Sequence, residues 1–294
     1  MKKIAFLALL FCSGFGEALA HPGSGILVDR DGNVYFVDTG SGVYKIDTQG
    51  NLTRIEGPAY HWMAIDLDDA LASTELPYFS TGDATFTPVG KDPTLILSSD
   101  FPVTVGPSGD LYYPRQSAGE QLKMFRLTAK GTTNAVTEIP PNPKTGTLRW
   151  LNGVDSAPDG SVYYSENDAI RRITPQGSVV TVIENVKLPD CSSVPGSEAL
   201  NGVYLRGLDV DAEGNVYVAA AGCGAVLRIA ADQTVTTILR ASSPWSPTGV
   251  ALSGKDLYVL EYLHTEGDDR SQWKPRVRKV ASDGKVTTVA IVER

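Results

Sequence analysis

The chain has 294 residues, 42% of them apolar, and a formal net charge of −8. An acidic surface repels phosphate backbones, and no basic run interleaved with aromatic residues occurs, so nucleic acid and anionic membranes are excluded as expected partners. The 29 glycines and 18 prolines suit a compact chain with many turns rather than a disordered one.

Residues 1–20 read as a signal peptide for export. Lys2 and Lys3 give a basic start, residues 4–11 an apolar run, and Ala18-Leu19-Ala20 the small residues a signal peptidase requires. Cleavage after Ala20 would place residues 21–294, read as one domain, in the periplasm or outside the cell. The apolar run is shorter than the roughly 20 residues of a membrane span, and no later segment qualifies as one. Lipidation at Cys12 is disfavoured because the bulky Phe11 precedes it.

One unit repeats through the remainder. Gly25-Ile26-Leu27-Val28-Asp29-Arg30-Asp31-Gly32-Asn33-Val34-Tyr35 returns as Gly153-Val154-Asp155-Ser156-Ala157-Pro158-Asp159-Gly160-Ser161-Val162-Tyr163. It returns again as Gly207-Leu208-Asp209-Val210-Asp211-Ala212-Glu213-Gly214-Asn215-Val216-Tyr217, with weaker copies at 102–112 and 249–258. Each copy reads as a short strand, a turn whose glycine takes positive φ, and a second strand. Third strands are expected at 43–46, 124–127, 170–173, 226–229 and 277–280, and fourth strands at 52–55, 136–139, 179–183, 235–239 and 286–289. The stretch 61–99, with Met63-Ala64-Ile65-Asp66-Leu67 and Thr94-Leu95-Ile96-Leu97, has the length of one divergent unit in second place.

Runs such as Val34-Tyr35-Phe36-Val37 and Val216-Tyr217-Val218-Ala219 are apolar at successive positions, as strands buried on both faces are. A sandwich with one wet face would alternate instead. The expected fold is therefore all-β, a six-bladed β-propeller of four-stranded antiparallel blades. No strand is left over for an exchanged closure, so blades one and six are expected to meet by side-chain packing alone.

Strand direction then assigns residues to faces. Tight glycine turns fall on the bottom, and the long loops 140–150, 184–206 and 261–275 fall on the top, where ligand contacts of a repeat scaffold usually lie. The top collects His21, Asp38, His61, Trp62, Arg115, Arg149, Trp150, Asn152, Glu166, Arg206, Trp245, Glu261, Tyr262 and His264. Asp38 and Glu166 serve equally well as caps for loop amides or as site groups, and Trp150 and Trp245 as core lids or as ligand platforms. Arg206, directly before an inner strand, needs a partner for its charge: Asp38, Glu166, Glu261 or an anionic ligand. Arg206, Glu166, Glu261 and His61 are the candidate catalytic residues, and Asn152, Arg206, Trp62 and Tyr262 the candidate ligand contacts. His21, His61 and His264, the only histidines, share this face, and imidazole is a common ligand of zinc and copper. No nucleophile elbow occurs, and residues 29–33 lack the terminal glutamate of a calcium loop. Cys191 and Cys223, the two cysteines beyond the leader, are expected to pair in an oxidising compartment.

The repeat glycine, the apolar-Tyr opening of the second strand and the Arg-Ile or Lys-Ile of the third resemble NHL repeats. They are similar also to the senescence marker protein/gluconolactonase family of six-bladed propellers, over essentially all of residues 21–294. The resemblance speaks for the fold and less for function, because propellers carry unrelated activities. It implies one divalent metal at the channel mouth, held by a Glu before the first inner strand, an Asn before a middle one and an Asp before a later one. Asn152 matches the Asn. The Glu position falls at Ser24 or Gly25, and the Asp position falls on Arg206.

Two functions are expected from these residues. One is an extracytoplasmic hydrolase or lyase acting on a small polar or anionic molecule at the top of the channel; the other is a non-catalytic propeller that binds a ligand or a partner protein. A divalent ion, calcium or zinc, is the expected cofactor, with Asn152, His21, His61 and His264 as candidate metal ligands, and a monomer is the expected state.

Overall fold

In the computed structural model of the chain, the described residues are 22–56, 60–71, 84–88, 94–99, 101–116, 121–141, 151–191, 202–263 and 273–293. Residues 1–20, read above as a signal peptide, and His21, Arg149, Trp150 and His264 lie outside them. Among the described residues, no helix is long and apolar enough to cross a membrane.

The strands form six sheets. Sheet one holds β1 (Ile26–Val28), β2 (Val34–Asp38), β3 (Gly42–Ile46) and β4 (Leu52–Glu56); sheet two holds β5 (Trp62–Asp66), β6 (Ala84–Pro88) and β7 (Thr94–Ser98). Sheet three holds β8 (Thr104–Val105), β9 (Leu111–Arg115), β10 (Lys123–Leu127) and β11 (Thr133–Glu138); sheet four holds β12 (Gly153–Ser156), β13 (Val162–Ser165), β14 (Ile170–Ile173) and β15 (Val179–Ile183). Sheet five holds β16 (Leu205–Val210), β17 (Val216–Ala220), β18 (Ala225–Ile229) and β19 (Val235–Arg240); sheet six holds β20 (Trp245–Ser253), β21 (Asp256–Leu263), β22 (Pro275–Val280) and β23 (Val286–Ile291). The innermost strands β1, β5, β8, β12, β16 and β20 touch in that order, and β20 returns to β1. All six line a central cavity of about 200 Å3. The chain is a six-bladed β-propeller.

The repeat glycines follow from how closely these inner strands approach. A Cβ on Gly153 would stand 2.7 Å from the Arg206 carbonyl, and one on Gly249 would stand 2.2 Å from the Ser24 carbonyl. Only glycine lets backbone meet backbone there. Farther out, the repeat tyrosine and the third-strand cation pair in register as Tyr35 with Lys45, Tyr112 with Arg126, Tyr163 with Arg172, Tyr217 with Arg228 and Tyr258 with Lys279. The cation lies 5.5 Å above the ring at Lys45, 5.8 Å at Arg172 and 5.5 Å at Lys279, so the tyrosine buries its ring beneath a solvated charge. Asp29 spends its carboxylate on the Asp31 and Asn33 amides, the Asn33 side chain and the Tyr35 hydroxyl, which makes residues 29–33 a hairpin turn.

Sheet two departs from the four-stranded expectation. Among the described residues it has three strands, in the order β5-β7-β6. The physical reason lies in β7, whose five residues are all buried and therefore belong in the middle of the sheet against β5. β6 ends in Pro88, which lacks a ladder donor and suits an outer strand. The turn after β5 is held by Asp66, which accepts the Leu71 amide at 2.6 Å, in place of a glycine hairpin.

Each sheet is built from consecutive strands, so the ring closes without exchange. Packing alone does not close it, however. Beside the shared apolar cluster of Phe36, Val37, Val43, Leu260, Tyr262 and Val277, the Tyr262 hydroxyl donates to the Val37 carbonyl at 2.8 Å. Thr248 Oγ1 donates to the Gly23 carbonyl at 2.7 Å. Sequence periodicity carries no record of side-chain bonds between the first and last blades.

Candidate functional site at the channel top

One residue before each repeat glycine, at the top of the inner strands, stand Ser24, Asn152, Arg206 and Thr248, and Trp62 takes this place in sheet two. None of the five exposes more than 8% of its surface. Their bonds tie the ring together. Trp62 Nε1 donates to the Asn152 carbonyl at 3.1 Å, joining sheets two and four, and Asn152 Nδ2 donates to the Leu205 carbonyl at 2.8 Å, joining four and five. Ser24 and Gly25 both donate their amides to the His61 carbonyl, at 2.8 and 2.9 Å.

Arg206 is the one cation of this ring. Its Nε donates to Ser24 Oγ at 3.1 Å, and its Nη2 donates to the Pro22 carbonyl. Both acceptors are neutral, and Nη1 has no hydrogen-bond partner among the described residues. Burial pushes the guanidinium below its ordinary pKa, with the Tyr204 and Tyr262 phenols acting the other way. Tyr262 packs on the same corner, and burial followed by the nearby Asp38 charge raises its phenol.

The carboxylates expected as partners of Arg206 are engaged elsewhere. Glu166 Oε1 lies 3.5 Å from Arg171 Nε, and Arg171 also meets Glu184 at 3.1 Å. Glu261, fully buried, takes Arg276 on one oxygen and Arg278 at 3.4 Å on the other, while Arg276 stacks 4.0 Å above Trp245. Asp38 accepts the Gly40 amide at 3.1 Å and the Ser41 hydroxyl, the capping role. Cations on the neighbouring strand take Glu166 and Glu261 and loop groups take Asp38, which leaves Arg206 with Ser24 Oγ and the Pro22 carbonyl. Arg115 is exposed to solvent.

These residues do not fit a divalent ion at the axis. Ser24 Oγ already accepts from a guanidinium, the Asn152 amide is committed to Leu205, and the third position carries a positive charge. Among the described residues, no group of three or more His, Cys, Asp or Glu side chains is placed to hold a metal. Of the histidines only His61 is described, with Nδ1 2.8 Å from the Ser99 carbonyl. Cys191 and Cys223 form a disulfide that ties the loop before sheet five to the turn between β17 and β18.

The sequence reading passed over Asp155 and Asp209, although both line the central cavity. They occupy the same repeat position, two residues after the glycine, where the other copies place Leu27 or Ala251. A carboxylate recurring at an apolar position was the available signal.

No family model matches the sequence, and no curated protein sequence matches it. Solved structures do share its fold. A luciferin-regenerating enzyme aligns with a TM-score of 0.54 at 16% identity, over 93% of this chain and 93% of its own. The selenomethionine-substituted virginiamycin B lyase from Staphylococcus aureus aligns at 0.53 and 16%, over 95% and 87%. The calcium-binding protein regucalcin from Agrobacterium tumefaciens str. C58 aligns at 0.53 and 16%, over 85% and 85%. At such identities the likeness is one of architecture: this chain has the β-propeller fold of these proteins, with a ring of its own at the channel top.

Proposed function

We propose that the protein is an extracytoplasmic propeller that binds a small anionic molecule over the top of its channel and acts on it as a hydrolase or lyase, with Arg206 as the anchor. The observation that carries this reading is the state of Arg206: a buried guanidinium with two neutral acceptors, no carboxylate beside it and Nη1 still to be paired. A buried charge is stabilised best by an opposite charge, and a charge-assisted bond is about twice as strong as a neutral one. His61, whose Nδ1 lies 2.8 Å from the Ser99 carbonyl, and Glu166 are the acid-base candidates. Two proteins of the same fold are named as a lyase and as a luciferin-regenerating enzyme, which favours chemistry over simple recognition. The disulfide and the leader-like start favour a periplasmic or secreted protein.

The test is a thermal-shift screen of carboxylates, lactones, uronates and phosphates on the wild type and Arg206→Gln, followed by product analysis for each hit. A hit that stabilises the wild type more than the variant and is turned over supports the whole reading. A hit that binds without turnover leaves the second reading, a non-catalytic ligand-binding propeller. That reading has its own support in the ring of Trp62, Asn152, Ser24 and Thr248, whose bonds tie neighbouring sheets together across the channel top.

A further inference from the structure

We infer that the Arg206 guanidinium is a resident cation that stands in place of a divalent metal, so that the ring at the channel top works without any metal ion. The inference stands on the geometry of the ring and holds whatever the ligand's charge. Three equivalent positions, each one residue before a repeat glycine, are linked at the channel top: Arg206 donates to Ser24 Oγ, and Asn152 donates to the carbonyl of Leu205, the residue before Arg206. Oxygen donors at all three would form a cation site. Here the third position carries a positive charge, and Ser24 Oγ, an oxygen that a metal would use, accepts from that charge instead. Ser24 Oγ and the Pro22 carbonyl accept from the guanidinium, and the backbone carbonyl of Arg206 is itself taken by the Ser165 hydroxyl.

The replacement is built into its surroundings. Pro22, Gly23 and Ser24 are buried, and Thr248, with no exposed surface, holds the Gly23 carbonyl at 2.7 Å. The Ser24 carbonyl is wedged against Gly207 and Gly249, where an added Cβ would stand 3.1 and 2.2 Å from it. The segment before β1 is thus fixed where its oxygens meet Arg206. A guanidinium is permanently charged and planar, and it offers donors in fixed directions. It supplies at the axis the positive field a metal would supply, while presenting hydrogen-bond donors instead of open coordination positions.

The experiment reverses the substitution. Chelator-treated wild type is titrated calorimetrically with calcium, magnesium, manganese and zinc chlorides, beside Arg206→Asp and the double variant Ser24→Glu with Arg206→Asp. The wild type should bind no equivalent of ion at the ring, and the double variant should acquire a calcium site with a dissociation constant on the order of 0.1–1 mM. Adding Asn152→Ala should weaken that site at least tenfold. If either reversed variant folds only when calcium is supplied, that dependence counts as the same gain, because an ion bound by the native state alone stabilises it. A wild type that binds one equivalent of divalent ion, lost on Asn152→Ala, would overturn the inference. Folded reversed variants with no cation affinity would overturn it too. Neither result bears on the anion screen with Arg206→Gln, so failure of this inference is distinguishable from failure of the proposed function.

Discussion

Asp155 and Asp209 lie on neighbouring inner strands with their buried carboxyls interacting, and each also holds the next strand round the ring. The Val210 amide donates to Asp155 Oδ2 at 3.1 Å, the Leu252 amide donates to Asp209 Oδ2 at 2.6 Å, and Thr104 Oγ1 reaches Asp155 Oδ1 at 3.2 Å. Four blades are pinned by two carboxyls. An innermost strand has amides with no sheet partner on the axis side, and these carboxyls satisfy them.

Burial, then the neighbouring Asp209 charge, holds the Asp155 pKa well above the usual carboxylate range; burial raises Asp209 as well. The two carboxyls face each other out of water, so the pair keeps a shared proton to higher pH than a solvated carboxyl would. A folded pKa above the unfolded one means stability present at low pH and lost as pH rises through the folded value. Asp155→Asn keeps the hydrogen bond without the titration. The difference in melting temperature, variant minus wild type, should grow from about zero near pH 4 to several degrees at high pH. A difference that is flat with pH would contradict the shared proton.

The glycine ring predicts a contrast between two substitutions. Gly249→Ala would force a Cβ to 2.2 Å from the Ser24 carbonyl and should prevent folding or cost several kcal/mol. Gly254→Ala, at φ +60 with nothing within 4 Å, should cost only about 1 kcal/mol. Chemical denaturation of both checks the pair, and equal losses would contradict the backbone-contact account.

These two glycines also mark how far the sequence was legible. Repetition of Gly25, Gly153, Gly207 and Gly249, with the tyrosine and the third-strand cation, reported the blade because every copy meets the same local geometry. Sheet two escaped, since its strand order depends on β7 being wholly apolar and not on any motif. Of the residues read onto the top face, Trp62, Asn152 and Arg206 stand at the ends of inner strands, while His21, Arg149, Trp150 and His264 lie outside the described residues. Ion pairs are less legible: the sequence offers Arg206 Asp38, Glu166, Glu261 or an anionic ligand, and Arg171, Arg276 and Arg278 take the two glutamates through short-range strand pairing. Which of several charges meet across a ring depends on side-chain reach, which periodicity does not encode.

The disulfide closes a loop with a sequence separation of 32. In the chain-entropy model this contributes about 3 to 4 kcal/mol. Thiol titration of denatured, unreduced protein should find none of the Cys191 or Cys223 sulfurs free, and Cys191→Ser with Cys223→Ser should lower the melting temperature by roughly 5–15 °C. Two titratable thiols would contradict the bond.

Ring closure depends on Tyr262 as well as on apolar contact. Tyr262→Phe keeps the buried ring and leaves the Val37 carbonyl without its donor, at a cost of about 1–3 kcal/mol. Urea denaturation should show a lower midpoint with an unchanged slope. An unchanged midpoint would mean that the Tyr262 hydroxyl contributes nothing to ring closure.

The central claim is that Arg206 anchors an anion. Calorimetric titration of the most stabilising anion into wild type, Arg206→Lys and Arg206→Gln measures it most directly. Losing one buried charge-assisted contact should weaken binding by roughly a hundredfold in Arg206→Gln, with Arg206→Lys between the two. Melting temperature should fall by no more than the few degrees due to the lost bonds to Ser24 and Pro22. Equal affinity in all three proteins, with a collapse in the stability of Arg206→Gln, would contradict the account and make Arg206 a structural clasp of the channel top.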